Sequence, residues 1–340
     1  MKKNISILGS TGSIGLSTFR IIDKKKNDFN INLLSANKNY KLIVKQIKKY
    51  KPKIFVINDI SIYLKVKKNN FKKTKILNNF DKLKLITKND LTISAIPGIA
   101  GLEPTIKLIK FTKKLCIANK EAVVCGWDII NKIAKKNRTK IIPLDSEHFA
   151  ISKLLSKYKL AEVKKIYITA SGGPFLNYSI NDFKKITPRQ ALKHPKWKMG
   201  KKISVDSSTL MNKILELIEA QKLFKIPEKK IDIIIHPNSL VHAIVELNNG
   251  LSELIYHETS MLIPIANAIY EGNLRIEDFY QNKNFPNENK LIFLKVNQKI
   301  FPIIKLKKLI NKYSSSSIIV NASNEILVEQ FLKGKIPFLG

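Results

Sequence analysis

Two stretches carry the densest chemistry: Asp145-Ser146-Glu147-His148 and Met211-Asn212-Lys213-Ile214-Leu215-Glu216. Asp145 and Glu147 stand two apart. If the strand that precedes them keeps its pleat, both carboxylates point the same way and can converge. Carboxylate oxygens with water completing the shell suit Mg2+, Mn2+ or Co2+ better than Zn2+. Alone, such a pair also reads as a solvated strand end. Glu216 shifts the balance, because on a helix Asn212 (four residues before it) and Lys213 (three before it) share its side. Ser207 and Ser208 are good N-cap residues ahead of that run. A helix N-terminus with Ser207, Asn212 and Lys213 is a natural phosphate seat, and Glu216 one turn on completes a three-carboxylate metal site. The plain alternative is a surface helix with an ordinary Lys–Glu pair.

A second phosphate site lies near the start. Gly9, Gly12 and Gly15 follow an apolar run and open a helical pattern, and they are three of only 13 glycines in the chain. Glycines there let the backbone turn tightly and approach a pyrophosphate, whose charge sits at the helix N-terminus. The spacing is a variant of the dinucleotide fingerprint, shifted at its first glycine. Which dinucleotide binds depends on the end of the second strand, which reads Ser35-Ala36-Asn37-Lys38-Asn39. That stretch has no carboxylate to accept from ribose hydroxyls, and Lys38 attracts a 2′-phosphate, so NADP is favoured over NAD. Lys38 can equally be one more surface lysine.

The elements that must position these residues follow a pattern. Up to about residue 145, short β-branched runs alternate with helical patterns. The expected strands are Ile5–Leu8, Ile31–Ser35, Ile54–Ile57, Thr92–Ile96, Leu115–Ala118 and Ile141–Leu144, and the expected helices include Leu42–Tyr50 and Glu121–Ala134. That alternation predicts an α/β fold beginning with a doubly wound, Rossmann-like parallel sheet. From Ser146 the rhythm changes to an α+β pattern, with strands at Ile166–Thr169, Ile231–Ile235, Val241–Leu247 and Ser252–Tyr256. Between them Ser171–Lys201 is a long stretch punctuated by Gly and Pro, and such stretches inside a domain are usually functional. The expected organisation is a dinucleotide-binding domain over 1–145, a catalytic domain over 146–270 and a linker over 271–300. Helical patterns at Ile303–Tyr313 and Ala322–Leu332 then form a short C-terminal domain over 301–340.

Composition narrows the class. The chain of 340 residues has a net charge of +35, a value that suggests nucleic-acid binding. Yet 57 of its 61 basic residues are lysines, and the four arginines are Arg20, Arg138, Arg189 and Arg275. Bases and phosphates are usually gripped by the bidentate Arg fork, and these lysines are spread along the whole chain. Such diffuse lysine reads as compositional drift, with no nucleic-acid partner expected, although a positive field helps collect anionic substrates. The two cysteines, Cys116 and Cys125, lack metal-ligand spacing and suit a reducing cytosol. No long apolar run marks a membrane span, and Met1-Lys2-Lys3-Asn4-Ile5 lacks the form of a secretory signal, so a cytoplasmic protein is expected.

Taken in order, the motifs resemble those of the 1-deoxy-D-xylulose 5-phosphate reductoisomerases. The runs that carry the resemblance are Gly9–Gly15, Ala118-Asn119-Lys120-Glu121, Asp145–His148, Ser171-Gly172-Gly173-Pro174-Phe175, His194-Pro195-Lys196-Trp197, Met199-Gly200, Lys202–Ser207, Met211–Lys213 with Glu216, His236-Pro237 and Asn321-Ala322-Ser323-Asn324-Glu325. The resemblance implies NADPH- and metal-dependent isomerisation and reduction of 1-deoxy-D-xylulose 5-phosphate to 2-C-methyl-D-erythritol 4-phosphate. It implies metal ligands at Asp145, Glu147 and Glu216, which with Lys120 form the catalytic set. Substrate contacts fall on Lys120, Ser146, Glu147, Ser171, His194, Trp197, Ser207, Asn212, Lys213 and Glu216. Dinucleotide contacts fall on Thr11, Gly12, Ser13, Ile14, Lys38, Asn39, Asn119, Glu121 and Gly200. Trp197 and Met199 belong to a lid over 194–202, Met261 helps wall the pocket, and a homodimer is expected.

The sequence departs from the family pattern in places. Asn37 replaces a usual Gly and is expected to take positive φ in its stead. Phe149 replaces a usual Asn, and His257-Glu258-Thr259-Ser260-Met261 lacks a Gly and a Pro-Asp. The family continues with more helix beyond the position of Gly340, so an incomplete C-terminal helical domain is expected. Three other readings stand beside this one: a degenerate, non-catalytic relative, a polycationic nucleic-acid-binding protein on a Rossmann scaffold, and another NADP dehydrogenase acting on an unphosphorylated substrate, which the Ser/Asn/Lys seat opposes.

Overall fold

Apolar runs without alternation give strands buried on both faces, and helices on either side cover them. The computed structural model describes residues 2–81, 83, 87–197, 199–280 and 290–339. The Asn-rich part of the expected linker, 282–289, and Lys198 of the expected lid lie outside the described residues. By contacts the chain divides into two units, Met1–Asp145 with Met261–Gln281, and Ser146–Ser260 with Asn282–Gly340.

The first unit holds β1 (Lys3–Leu8), β2 (Phe29–Ala36), β3 (Ile54–Ile57), β4 (Lys75–Leu77), β5 (Asn89–Ser94), β6 (Thr112–Ile117) and β7 (Lys140–Pro143). They form one sheet in the order β4-β3-β2-β1-β5-β6-β7, with all neighbouring pairs parallel. This is the Rossmann-like parallel sheet. The strand order reverses beside β1, and open α/β sheets bind ligands at the carboxyl ends of strands at such a switch point.

β5 and β6 start three residues before the apolar runs that suggested them. Their first turns are polar but satisfied: Asn89 Oδ1 accepts from Ser6 Oγ and from Asn32 Nδ2, each at 2.9 Å, and the Thr92 and Thr112 hydroxyls lie 2.7 Å apart. Buried polar groups that pair with one another can sit in a central sheet. The edge strand β4, of only three residues, had no such apolar run to betray it. Helix Leu262–Tyr270 belongs to this unit, beyond the boundary drawn at 145 and inside the span 146–270. Its Ile265, Ala266 and Ile269 are buried with Ile5, Phe19 and Ile22.

The second unit is built on β8 (Val163–Ala170), β9 (Ile231–Ile235), β10 (Val241–Leu247) and β11 (Ser252–Tyr256) in the order β11-β10-β8-β9. Only β8 and β9 run parallel; β10 is antiparallel to both of its neighbours. Helix Met211–Phe224 is buried on all sides over Met211–Ala220, polar residues included. A helix enclosed in this way carries polar groups only where they find partners.

The stretch expected to be helical over Ile303–Tyr313 is instead a 3-10 turn over Pro302–Lys308. Its apolar residues Ile303, Leu306 and Leu309 recur every three, the period of a 3-10 helix. The last helix runs Ser316–Leu332, six residues longer at its start than its apolar pattern. Among the described residues no helix is long and apolar enough to cross a membrane.

Candidate active site

The pleat expected to aim Asp145 and Glu147 does not persist. β7 ends at Pro143, and Ser146 already opens helix Ser146–Leu155. After Pro143 only one more ladder bond forms, from Leu144 N–H to Ile117 O at 2.8 Å, before the chain turns into the helix. Convergence comes from that turn and from a second helix. Carboxylate oxygens of Asp145, Glu147 and Glu216 all lie within 4.8 Å of one another. Glu216 is 1% exposed and Lys213 lies 2.7 Å from it; Lys213 also pairs with Glu147. Lys120 pairs with Asp145 at 2.8 Å, and Ser146 Oγ donates to Glu147 at 2.5 Å. Three carboxylates, Glu216 buried and Asp145 and Glu147 half-buried, are compensated by two lysines. That donor set, all oxygen and convergent, fits a hard divalent cation.

The second helix does not start as expected. Ser207 and Ser208 end a preceding helix, Lys201–Ser208, rather than capping the one that holds Glu216. The break falls at Leu210, a buried non-glycine residue at φ +64°. Backbone in this region costs about 1–2 kcal/mol for a residue with a Cβ. It redirects the chain so that Asn212, Lys213 and Glu216 lie on one side of helix Met211–Phe224; Asn212 donates to Glu216. Beneath them His148 Nε2 lies 2.8 Å from the Glu216 carbonyl, which can only accept, so Nε2 carries a proton. His148 Nδ1 faces the Glu219 carboxylate at 3.4 Å. Glu219 did not stand out in the sequence; its Glu216-x-x-Glu219 spacing was the available signal. Asp145, His148 and Glu219 are a second group of ligand atoms within 4.8 Å.

The Ser171–Phe175 loop lies against Ser207. Gly173 has φ +66°, and a Cβ there would meet the Ser207 carbonyl at 2.7 Å. His194 Nδ1 accepts from the backbone N–H groups of Lys196 at 3.1 Å and Trp197 at 2.9 Å. Its proton is therefore on Nε2, which donates to Ser171 Oγ at 3.0 Å. Ser171 Oγ also accepts from Gly173 N at 3.1 Å, so its own hydroxyl proton is left to donate outward. Burial, with Lys213 nearby, pushes the His194 pKa down to about 4. The imidazole is neutral at pH 7, consistent with that tautomer. The Asn321–Glu325 motif supports the same region: Asn324 Nδ2 donates to Asp206 at 2.8 Å, and Lys202 pairs with Asp206 at 2.7 Å.

At the Gly9–Gly15 loop the cradle is backbone. Gly9 takes φ +79°, and a Cβ would meet the Ala95 carbonyl at 2.6 Å; at Gly15 a Cβ would meet the Gly9 and Ser10 carbonyls at 2.6 Å. Ser10 N–H donates to Ser35 O at 2.8 Å, and Gln46 Nε2 donates to Ser10 O at 2.9 Å. Gly12 and Ser13 are exposed at the start of helix Ser13–Lys24, whose first turn carries no acid; Thr11 and Ile14 flank them half-buried. Lys38 and Asn39 are exposed just past β2. Asn39 caps helix Tyr40–Tyr50 by accepting from Leu42 N at 3.2 Å. Asn37 is not among the residues with positive φ, so this turn needs no left-handed residue. Asp59, the cap of the helix that follows β3, is close enough for Lys38 to help lower its pKa, behind Ser61 and the backbone of Ile62. No carboxylate is visible near Lys38 in the sequence, because Asp59 is 21 residues away. Asn119 spends its side chain internally, donating to Gly98 O at 2.8 Å and accepting from Ala122 N at 2.6 Å. Only its backbone is left to face a ligand. Glu121 is buried in the next turn, and Gly200 is exposed before helix Lys201–Ser208.

Known proteins resemble this chain along its whole length. A family model described as 1-deoxy-D-xylulose 5-phosphate reductoisomerase matches residues 5–126. Two models of the C-terminal domains of the same enzyme match 141–224 and 257–340. A reductoisomerase of that name from Pelagibacter ubique is 46% identical over 99% of this chain and 88% of its own length. One from Wolbachia pipientis of Culex pipiens is 43% identical over 99% and 87%. Among solved structures, the Zymomonas mobilis reductoisomerase with NADPH superposes with a TM-score of 0.90 at 33% identity, covering 100% of this chain and 89% of that one. A reductoisomerase bound to NADPH, fosmidomycin and magnesium also gives 0.90 at 33% identity, over 99% and 86%.

Proposed function

The chain belongs to the 1-deoxy-D-xylulose 5-phosphate reductoisomerase family, and from that premise we propose how its residues divide the work. The protein is an NADP-dependent oxidoreductase that converts 1-deoxy-D-xylulose 5-phosphate to 2-C-methyl-D-erythritol 4-phosphate with NADPH and a divalent metal. The observation that carries the assignment of roles is the convergence of Asp145, Glu147 and Glu216 on one point. These three hold the metal, whether Mg2+, Mn2+ or Co2+. When bound, the ion supplies Lewis acidity toward the substrate's ketone and hydroxyl oxygens, and NADPH supplies the hydride.

The chain's own groups do the rest. Lys120, held by Asp145, donates to the substrate oxygens where negative charge develops. Ser171, Ser207, Asn212 and Lys213 seat the phosphate; the outward hydroxyl proton of Ser171 and the Lys213 ammonium are both donors. Ser146 orients Glu147. His194 and Trp197 begin the lid over 194–202, which excludes water while the carbon skeleton rearranges. Backbone N–H groups of Thr11, Gly12, Ser13 and Ile14 take the pyrophosphate, and Lys38 with Asn39 takes the 2′-phosphate. Asn119, Glu121 and Gly200 complete the dinucleotide contacts.

The assignment is tested by following NADPH oxidation with the deoxyxylulose phosphate, with and without added Mg2+ or Mn2+. Turnover that is absent in both, or that ignores chelation, overturns it. The protein works in the cytoplasm as a homodimer. In support of the dimer, Ile318, Ile319, Ile326 and Leu327 are exposed along helix Ser316–Leu332. Covering each is worth about 1.5–3 kcal/mol. Sedimentation that finds only monomer at micromolar concentration removes the dimer.

A further inference from the structure

His242 and His257 lie outside the groups assigned above, and their geometry is specific. β10 and β11 pair in antiparallel register, with a shift between Val241 and Ala243 that falls on His242. Such bulges re-aim one side chain away from the regular alternation, often beside an active site. The His242 ring stacks on that of His257, with centroids 3.7 Å apart and planes 20° from parallel. His242 Nε2 lies 3.1 Å from the His257 carbonyl and therefore carries its proton there. His257 N donates to Leu240 O at 2.9 Å. His257 Nδ1 lies 2.7 Å from the Glu258 carbonyl, so its proton is on Nδ1. The backbone of the same turn thus fixes both rings in orientation and in tautomer.

His242 also meets Trp197. The Trp197 indole stands edge-on to His242, with centroids 6.3 Å apart and planes at 71°. The Trp197 backbone N–H is bonded to His194 Nδ1, and His194 in turn donates to Ser171. An unbroken line of contacts therefore runs from His257 through His242, Trp197 and His194 to the hydroxyl of Ser171.

We propose that His257 is a positioning residue, whose ring backs His242 so that Trp197, and through it the His194–Ser171 pair, is held ready for the substrate phosphate. This rests on the assignment of Ser171, His194 and Trp197 to the substrate. It concerns a residue in the segment where this chain departs from the family pattern. Burial holds the His257 pKa down at about 4, which keeps the stacked rings free of mutual repulsion at neutral pH. His257 Nε2 makes no hydrogen bond among the described residues, so the ring's contribution is its face rather than that nitrogen.

The test compares His257→Leu, which keeps bulk but loses the ring, with His257→Phe, which restores a ring without the hydrogen bond. Both are made in a Trp127→Phe background, because the chain has two tryptophans and only Trp197 should report. The Leu variant should raise KM for deoxyxylulose phosphate about 3- to 10-fold, as expected for losing one ring–ring contact. KM for NADPH and the metal dependence should stay within about twofold, and Trp197 emission should shift to the red. The Phe variant should restore both KM and emission. Unchanged KM and emission in the Leu variant overturn the proposal. So do equally impaired Leu and Phe variants, which would assign the effect to the Glu258 hydrogen bond. The emission is read without substrate. A shift in Leu that Phe reverses, with no change of substrate KM, therefore overturns the substrate assignment of Trp197 while the stack stands.

Discussion

On the roles proposed above, the Gly9–Gly15 loop meets its ligand with backbone N–H groups, whereas around Glu216 the groups are buried and half-buried side chains. The first site depends on what is missing: no Cβ fits at Gly9 or Gly15. The second depends on what is present, three carboxylates and the lysines that balance them. The difference teaches how a chain can accumulate a net charge of +35 and keep its chemistry. Solvated lysines around a backbone cradle change little, because the cradle's geometry does not run through side chains. The carboxylate cluster has no such freedom, since removing one charge leaves its partner buried and uncompensated.

The contrast is sharpest at Glu216. Glu216→Gln keeps the shape but removes a carboxylate charge and one of the two acidic partners of Lys213. Turnover at limiting metal should fall by at least about 100-fold, while NADPH binding by fluorescence titration stays unchanged. Normal activity at limiting metal removes Glu216 from the ligand set. The cradle is tested the opposite way, by adding a single carbon. In Gly15→Ala the new Cβ must displace two carbonyls, so stability should drop by about 1–3 kcal/mol and NADPH affinity by about tenfold or more. Metal binding, followed by calorimetry, should not change. If the alanine variant binds NADPH normally, the backbone reading of the cradle fails.

A smaller effect probes a cofactor contact that does run through a side chain. Lys38→Glu should weaken NADPH roughly tenfold and leave NADH nearly unchanged, by repulsion of the 2′-phosphate. Equal losses for both cofactors mean that Lys38 is only a surface lysine. A further effect, outside the cofactor and metal sites, is on acid stability. His194 and His257 are each held near pKa about 4 in the fold against 6.5 unfolded. Between those values the unfolded chain binds more protons, so stability is full above about pH 6.5 and declines as pH falls toward 4. Below that both states are protonated and these two groups cost nothing further. The melting temperature should fall over that window, and less steeply in His257→Phe. An identical slope in that variant shows that His257 does not titrate with unfolding.

The parallel sheet was legible because its strands are apolar runs separated by amphipathic helices. The polar beginnings of β5 and β6 were not, since Asn89 and Thr112 are acceptable there only through partners that lie far away in sequence. At the site, the spacing of Asn212, Lys213 and Glu216 was readable, because helix geometry alone puts them on one side. The start of that helix was misplaced. Its boundary is a left-handed Leu210 that no local preference favours, held by the packing around it. The linkage of His148 to Glu219 and of His242 to His257 had no local signature strong enough to single it out.

By itself, the sequence determined which residue types were available and in what order. The glycines after β1, the acids after β7 and the Ser/Asn/Lys set before Glu216 stand in a pattern that a family model recognises. Tertiary structure decided how they meet. Asp145 and Glu147 converge through a strand-to-helix turn rather than a pleat, and Lys213 reaches Glu147 across 66 residues. Ser171 presents a donor because His194 is locked in one tautomer by two backbone N–H groups. Periodicity constrains only neighbours within a turn or a strand. The charge balance of a buried site is set by whichever distant groups packing brings within a few ångströms.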